Sequence, residues 1–350
     1  MPSVDGLRGD VLVIGGGPAG LAASIALRMR GLTVAVADAR RPPIDSACGE
    51  GILPAGIAAL EHLGVPLDAS DGLPFRGIRF LEAGASVEAP FSSAHGVGIR
   101  RTRLHQLLVG RASQLGVRLL WGTSVASTSD LSGYAWVVGA DGQHSRVRHS
   151  ARLDGAMCLS RRFGFRRHYR LSPWTDMVEV HWGAGCQFYV TPVAPDEIGV
   201  ALLTRDSHRR IEDAVRDFPA LQRRLKNVVC TSSDRGSVTT TRRLRRVFRD
   251  RTALIGDASG SVDAIAGEGL SLAFLQAIAL SDAIAAGDLR PYQAKHRQLG
   301  RSPLVMANLL LMLDRCAWAR PLIWKGLAFE PSILGRMVSL YAPAGLRQLL

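Results

Sequence analysis

Residues 10–38 read DVLVIGGGPAGLAASIALRMRGLTVAVAD. Asp10 to Ile14 is a short β-rich apolar run, and the glycine segment Gly15 to Gly20 follows it. Leu21 to Arg30 has helical character, and Thr33 to Ala37 reads as a second buried strand ending at Asp38. Strand, glycine turn, helix and strand, at these lengths, make a βαβ unit. Within the pattern G-x-G-x-x-G, Gly15 permits the tight turn and Gly17 lets the backbone approach a pyrophosphate. Gly20 lets the helix pack close to the sheet. The helix N-terminus then turns unsatisfied N–H groups and partial positive charge toward the phosphates. Asp38 stands 18 residues after Gly20, where a carboxylate accepts from ribose hydroxyls. The segment predicts dinucleotide binding and by itself leaves FAD and NAD open.

Outward from this unit the chain alternates elements. Helices are expected at Pro54 to Leu63, Thr102 to Leu115, Ile211 to Leu225 and Gly269 to Ala286. Strands are expected at Val117 to Trp121, Tyr134 to Val138 and Thr252 to Ile255, and in Phe75 to Ala89 around a turn at Gly84. Between Ala156 and Leu203 helical periodicity disappears. Val178 to Trp182, Gln187 to Val190 and Ile198 to Leu202 alternate as in an antiparallel sheet.

Composition narrows the function classes. With 350 residues, 47% hydrophobic and 21% charged, the chain is globular and long enough for two domains. The net charge of +13 is carried almost wholly by arginine. The densest run is Arg242, Arg243, Arg245, Arg246, Arg249 and Arg251, read as a solvated strand and turn beside an anionic ligand. No aromatic interleaving or known module accompanies it, so a nucleic-acid partner is not expected. Cys48, Cys158, Cys186, Cys230 and Cys316 form no C-x-x-C, so neither a metal site nor a disulfide framework is expected, and a reducing cytoplasm fits. No signal peptide is read at the N-terminus. The apolar run Leu304 to Leu313 is too short to span a bilayer.

Two later segments select the cofactor: GADGQHSRVR at residues 139–148 and GDASG at residues 256–260. With the N-terminal fingerprint they resemble the FAD-dependent superfamily of class A flavin monooxygenases (aromatic hydroxylases) and geranylgeranyl reductases. The resemblance implies an α/β fold: a Rossmann-like, three-layer FAD-binding domain, an inserted antiparallel β-sheet substrate domain and a helical C-terminal tail. The expected boundaries are 1–74, 96–155 and 236–299 for the FAD domain, 75–95 and 156–235 for the substrate domain, and 300–350 for the cap. The resemblance also implies the cofactor contacts. Pro18 and Ala19 lie in the glycine loop with Gly15, Gly17 and Gly20, while Ala39 and Arg40 follow Asp38. Cys48, Gly49, Arg101 and Val125 would border FAD. Asp141 and Gly142 would lie near the pyrophosphate and the nicotinamide approach, and Gly256 and Asp257 near the ribityl chain. Gly267, Glu268, Gly269 and Leu270 would open a helix toward the flavin pyrimidine edge, where its dipole stabilises negative charge.

The reaction type stays open. Cys48-Gly49, Gly267-Glu268-Gly269 and Gly260 look like the reductase pattern. The aromatic prenyl-channel segment of those reductases is replaced by Gln187 to Pro192, and Ala264 stands where both families usually have Pro. The first expectation is NAD(P)H- and O₂-dependent hydroxylation of a hydrophobic phenolic or polyketide-like molecule. The alternatives are a C=C reductase acting on a prenyl or other lipid, and a non-catalytic flavin-binding protein. A halogenase is not expected, because no W-x-W-x-I-P occurs and only three lysines are present. No second G-x-G-x-x-G occurs, so NAD(P)H would dock transiently, or a flavin reductase partner would supply electrons. Cys48, His168, Tyr189 and Glu268 are the candidate catalytic groups, and Tyr169 and His181 also lie on strands expected to roof the flavin. The apolar, arginine-flanked tail suggests either a cap over the core or peripheral membrane contact at the inner surface.

Overall fold

A computed structural model describes residues 8–92, 94–125, 131 and 133–329. Two sheets organise the chain. The first has six strands in the order Phe248–Arg249, Thr252–Leu254, Tyr134–Gly139, Gly9–Ile14, Val34–Asp38 and Arg118–Trp121. All its pairings are parallel except that of Phe248–Arg249 with its neighbour. The central strand pairs Ile14 with Ala37 on one side and with Gly139 on the other. The chain leaves these two flanks in opposite directions, so a crevice opens at the carboxyl ends of the strands. Helices Pro18–Met29, Arg101–Gln114 and Gly269–Ala285 pack over one face.

The second sheet has seven strands: Arg235–Leu244, Ala156–Tyr169, Glu197–Thr204, Cys186–Ala194, Val178–Trp182, Gly77–Glu82 and Ala85–Pro90. Only Val178–Trp182 and Gly77–Glu82 pair in parallel. Alternation divides its faces. Phe188, Val190, Ile198, Val200 and Leu202 meet Ile211, Phe218 and Leu221 of the outer helices. Arg162, Gly164, Arg166 and His168, and Gln187, Tyr189 and Thr191, occupy the alternate positions toward the first domain.

Two expectations need correction. Arg235–Leu244 pairs with Ala156–Tyr169 from Arg166↔Arg235 onward, so the second sheet extends past the expected boundary at residue 235. The expected helix from Ile211 to Leu225 is broken into Ile211–Ala214, a 3₁₀ turn Val215–Asp217 and Pro219–Leu225. Phe218 precedes Pro219 and is held out of helical geometry at φ −124° and ψ 74°.

The tail forms helices Arg290–Leu299, Arg301–Arg315 and Arg320–Phe329. The last two lie against the second sheet. Asp314 is buried, accepts from Gln187 at 2.5 Å and pairs with Arg205. Arg320 donates to both oxygens of Glu82, and Oε2 also accepts from the Trp324 indole at 2.7 Å. Residues 330–350 of the expected cap lie outside the described residues. No described helix is long and apolar enough to cross a membrane.

Candidate cofactor and active site

The glycine turn is closed at two positions and open at the third. Gly15 has φ +114°, donates its N–H to Ala37 at 2.8 Å, and a Cβ there would sit 2.3 Å from the Ala140 carbonyl. A Cβ on Gly20 would lie 1.8 Å from the Gly15 carbonyl. At Gly17, by contrast, nothing apart from its own stretch of chain lies within 4 Å of a built Cβ. Gly17 is the N-cap of helix Pro18–Met29 and supplies no side-chain cap, so the orphan N–H groups face that open space. Gly49, Gly142, Gly267 and Gly269 are likewise open.

Asp38 closes the second strand. Its two oxygens accept the Gly16 N–H at 2.7 Å and the Arg40 N–H at 2.8 Å. Each carboxylate oxygen has about two acceptor positions, so capacity for a ribose hydroxyl remains. Ala39 and Arg40 are exposed beside it. His105 was not singled out by sequence. It is buried and donates through Nε2 to the Gly16 carbonyl at 2.9 Å, bracing the loop from behind. Its spacing of four residues from Arg101 on one helix was the available signal.

Arg101 gives the clearest indication of a missing anionic partner. Its Nε and Nη1 are buried and have no hydrogen-bond partner among the described residues. Burial pulls its pKa down, opposed by Cys48, Glu50, Asp257 and Asp45 around it. A buried guanidinium with unmade hydrogen bonds is costly. A ligand bearing phosphate or polar oxygens removes that cost. Asp257 is accessible within the cleft yet surrounded by protein, and burial raises its carboxyl, with Arg101 opposing. Gly256, at φ +58°, donates to Gln276 Oε1 at 3.0 Å, and a Cβ there would come 2.7 Å from Ala19 Cβ. The open glycines, the capless helix and the orphaned guanidinium all fit FAD.

Three further expected contacts also have partners within the protein. Asp141 accepts from Ser145 Oγ and from the N–H groups of Arg146 (2.7 Å) and Val147 (3.2 Å). Its carboxylate thus helps satisfy the first N–H groups of helix Arg146–Ser150, whose N-cap is Ser145. The side chain of Val125 packs with Leu131 and Tyr134, and that of Leu270 against the main core.

The candidate catalytic residues separate by environment. Burial raises the Cys48 thiol, so it is not a thiolate, and Sγ accepts the Glu50 N–H at 3.4 Å. His168 is fully buried, with Nε2 2.5 Å from Glu50 and Nδ1 2.7 Å from Ser232 Oγ. Both ring nitrogens are committed, which leaves none for a substrate. Glu50, absent from the sequence expectations, is the hub. It has φ +59°, accepts the Arg101 N–H at 2.8 Å, and lies 3.9 Å from Arg166. Arg166 also pairs with Asp45 at 2.5 Å. This network, with Thr191 donating to the Gly49 carbonyl at 2.8 Å, pins the Cys48–Gly51 loop to the second sheet. Tyr189 donates to the Ile265 carbonyl at 3.1 Å, and burial raises its phenol. Tyr169 packs in the outer-face core, and His181 bonds Glu179 at 3.0 Å on the face away from the cleft.

Glu268 is different. It precedes helix Gly269–Ala285 and makes no capping bond, and burial pushes its carboxyl up from 4.5 to about 8. At neutral pH it carries a proton it can give. The folded chain binds this proton between about pH 4.5 and 8 while the unfolded chain does not, so the stability contributed by this group falls as pH rises through that window. In the FAD-free protein, Glu268→Gln is expected to flatten that fall. Urea unfolding of both proteins across this range checks it, and parallel curves would contradict it.

A family model described as an FAD binding domain matches residues 8–288. The chain belongs to this family. It is an FAD-dependent oxidoreductase. A menaquinone reductase of Mycobacterium tuberculosis is 27% identical over 296 residues, covering 75% of this chain and 72% of that protein. The menaquinone reductase of Mycolicibacterium smegmatis is 36% identical over 131 residues, an alignment spanning 36% of this chain and only 32% of that protein. Among solved structures, the flavin-dependent brominase Bmp2 superposes with a TM-score of 0.81 at 20% identity, covering 97% of this chain and 98% of that one. The OxyS anhydrotetracycline hydroxylase from Streptomyces rimosus gives 0.71 at 23%, covering 96% and 76%. At these identities the structural likeness shows the fold of an FAD-binding-domain protein.

Proposed function

We propose that this enzyme is a monooxygenase that takes electrons from NAD(P)H and hydroxylates a hydrophobic, phenol- or polyketide-like ring. One observation carries the reading. Leu53, Phe75, Val178, Val180, Leu203 and Ile265 form a single buried apolar cluster beside the Ala264–Ala266 turn, next to the open glycines of the cofactor cleft. An apolar wall there binds a hydrophobic ring and excludes water. FAD, when bound, supplies the redox chemistry, accepting hydride and passing electrons on to oxygen or substrate. The chain supplies the rest. Gly17 and the helix behind it would hold the pyrophosphate, Arg101 and Asp257 would orient the cofactor, and Tyr189 fixes the Ala264–Ala266 turn through the Ile265 carbonyl. NAD(P)H docks transiently, with a flavin reductase partner as the other source of electrons; the sequence carries one G-x-G-x-x-G, at Gly15 to Gly20.

Glu268 favours a second reading. A carboxyl neutral at pH 7 can complete addition of hydride to a C=C bond by giving its proton. The relatives named menaquinone reductases support this reading, with a prenyl or other lipid as substrate. Incubation with a lipid extract of the source cells, NADPH and ¹⁸O₂ tests both. A product carrying labelled oxygen is expected. A product that gains only two hydrogens, equally well without oxygen, would overturn the monooxygenase reading and establish the reductase.

A further inference from the structure

Helix Arg301–Arg315 has two unlike faces. Met306, Ala307, Leu310 and Leu311 are buried in the cluster that holds Ile265, Val180 and Trp182. On the opposite face Arg301, Val305, Met312 and Arg315 are exposed, at spacings that keep them on one side of the helix. Trp318 and Leu322 continue this exposed surface along the chain. Val305, Met312, Trp318 and Leu322 are 60, 53, 81 and 69% exposed. Only Met29 and Val229 among the other described residues are large exposed hydrophobics, so the apolar exposure is concentrated here. The charge on this surface has one sign. Asp314 is the sole carboxylate between residues 301 and 329, and it is buried against Gln187 and Arg205.

We propose that this face docks on an anionic lipid bilayer. Exposed tryptophan and aliphatic side chains gain by entering the headgroup boundary, and arginines beside them gain from acidic lipid. The alternative occupant, a second copy of the chain, would bring Arg301 and Arg315 against like charge on a molecule of net charge +13. The docked face is one helix away from the site. The inner side of the same helix packs in the cluster that contains Ile265, and the Ile265 carbonyl accepts from Tyr189. A substrate drawn from the bilayer would therefore reach the cleft along an apolar helix and its cluster. That last link rests on the proposed function, while the docking itself does not.

The test is co-sedimentation of the FAD-loaded full chain with phosphatidylcholine vesicles and with mixed phosphatidylcholine–phosphatidylglycerol vesicles. Roughly tenfold or tighter binding to the mixed vesicles is expected, weakening as salt is added. A Trp318→Ser, Leu322→Ser double variant is expected to lose about tenfold of that affinity. Arg301→Glu with Arg315→Glu is expected to lose the preference for phosphatidylglycerol. FAD content and melting temperature on the same samples confirm that each variant is folded. Equal binding to both vesicle types, serine variants that bind as well as the wild type, or a dimer that the serine substitutions dissolve would each overturn the proposal. Vesicle binding by a protein that shows neither oxygen incorporation nor hydrogen addition in the ¹⁸O₂ incubation would overturn the functional reading and leave the docking intact.

Discussion

Replacing Gly17 with valine is expected to leave the fold intact and to weaken FAD binding by about 100-fold or more. The backbone there has φ −73° and ψ 178°, which any residue adopts. Apart from its own stretch of chain, nothing lies within 4 Å of the added Cβ, so the apoprotein has room for the side chain. Valine is a poorer N-cap than glycine, which costs roughly 1 kcal/mol of helix stability. The larger effect falls on the ligand. The branched side chain occupies the space in front of the helix N–H groups, where a pyrophosphate would sit. Each hydrogen bond to a charged group contributes about 1.5–3 kcal/mol, so losing two gives about the stated factor. Gly20→Ala is the contrasting control. Its Cβ would lie 1.8 Å from the Gly15 carbonyl, so the turn itself must break and the protein should fold poorly. FAD titration with parallel thermal melts separates the two. A Gly17→Val protein that binds FAD as tightly as the wild type would show that the pyrophosphate lies elsewhere.

Removing the carboxylate of Glu50 is the second large effect. Glu50 is 2% exposed and serves His168, the Arg101 N–H and Arg166 together. Glu50→Ala leaves a buried guanidinium and a buried imidazole without one of their partners. Breaking a buried charge pair from one side costs about 3–5 kcal/mol. In a protein of this size the melting temperature should fall by roughly 5 °C or more. Glu50→Gln keeps an acceptor for the Arg101 N–H but removes the charge, so a smaller drop is expected. Because the network pins the Cys48–Gly51 loop, the alanine protein should also hold FAD less tightly. Equal melting temperatures for Ala, Gln and wild type would contradict this account of the network.

The contrast between Gly17 and Glu50 shows what could be read from sequence. The glycine turn, its helix and Asp38 are local. Their spacing states a geometry within a single βαβ unit, and the three-dimensional arrangement follows it closely. Arg101 and Asp257 were singled out through motifs that carry a resemblance, and the structure places them together by the cleft. Glu50 was missed because its side-chain partners His168 and Arg166 lie 118 and 116 residues away and meet it only when the second sheet folds over the first. His168 looked catalytic for the same reason. A histidine on a strand declares its side of the sheet, but not that a carboxylate and a hydroxyl wait for both of its nitrogens. Asp141 was singled out through a shared motif, and its bonds to the N–H groups of Arg146 and Val147 are a local feature that the motif alone does not state. The helix expected over Ile211 to Leu225 failed at Pro219, a signal that was present in the sequence.

The account depends on the cleft being an FAD site, and the most direct measurement is the wild-type arm of the titration described for Gly17. The purified chain, stripped and then titrated with FAD, is expected to bind one FAD per chain, with the bound flavin reducible under anaerobic conditions. A folded chain that takes up no FAD at saturating concentration, while Gly17→Val behaves identically, would contradict it.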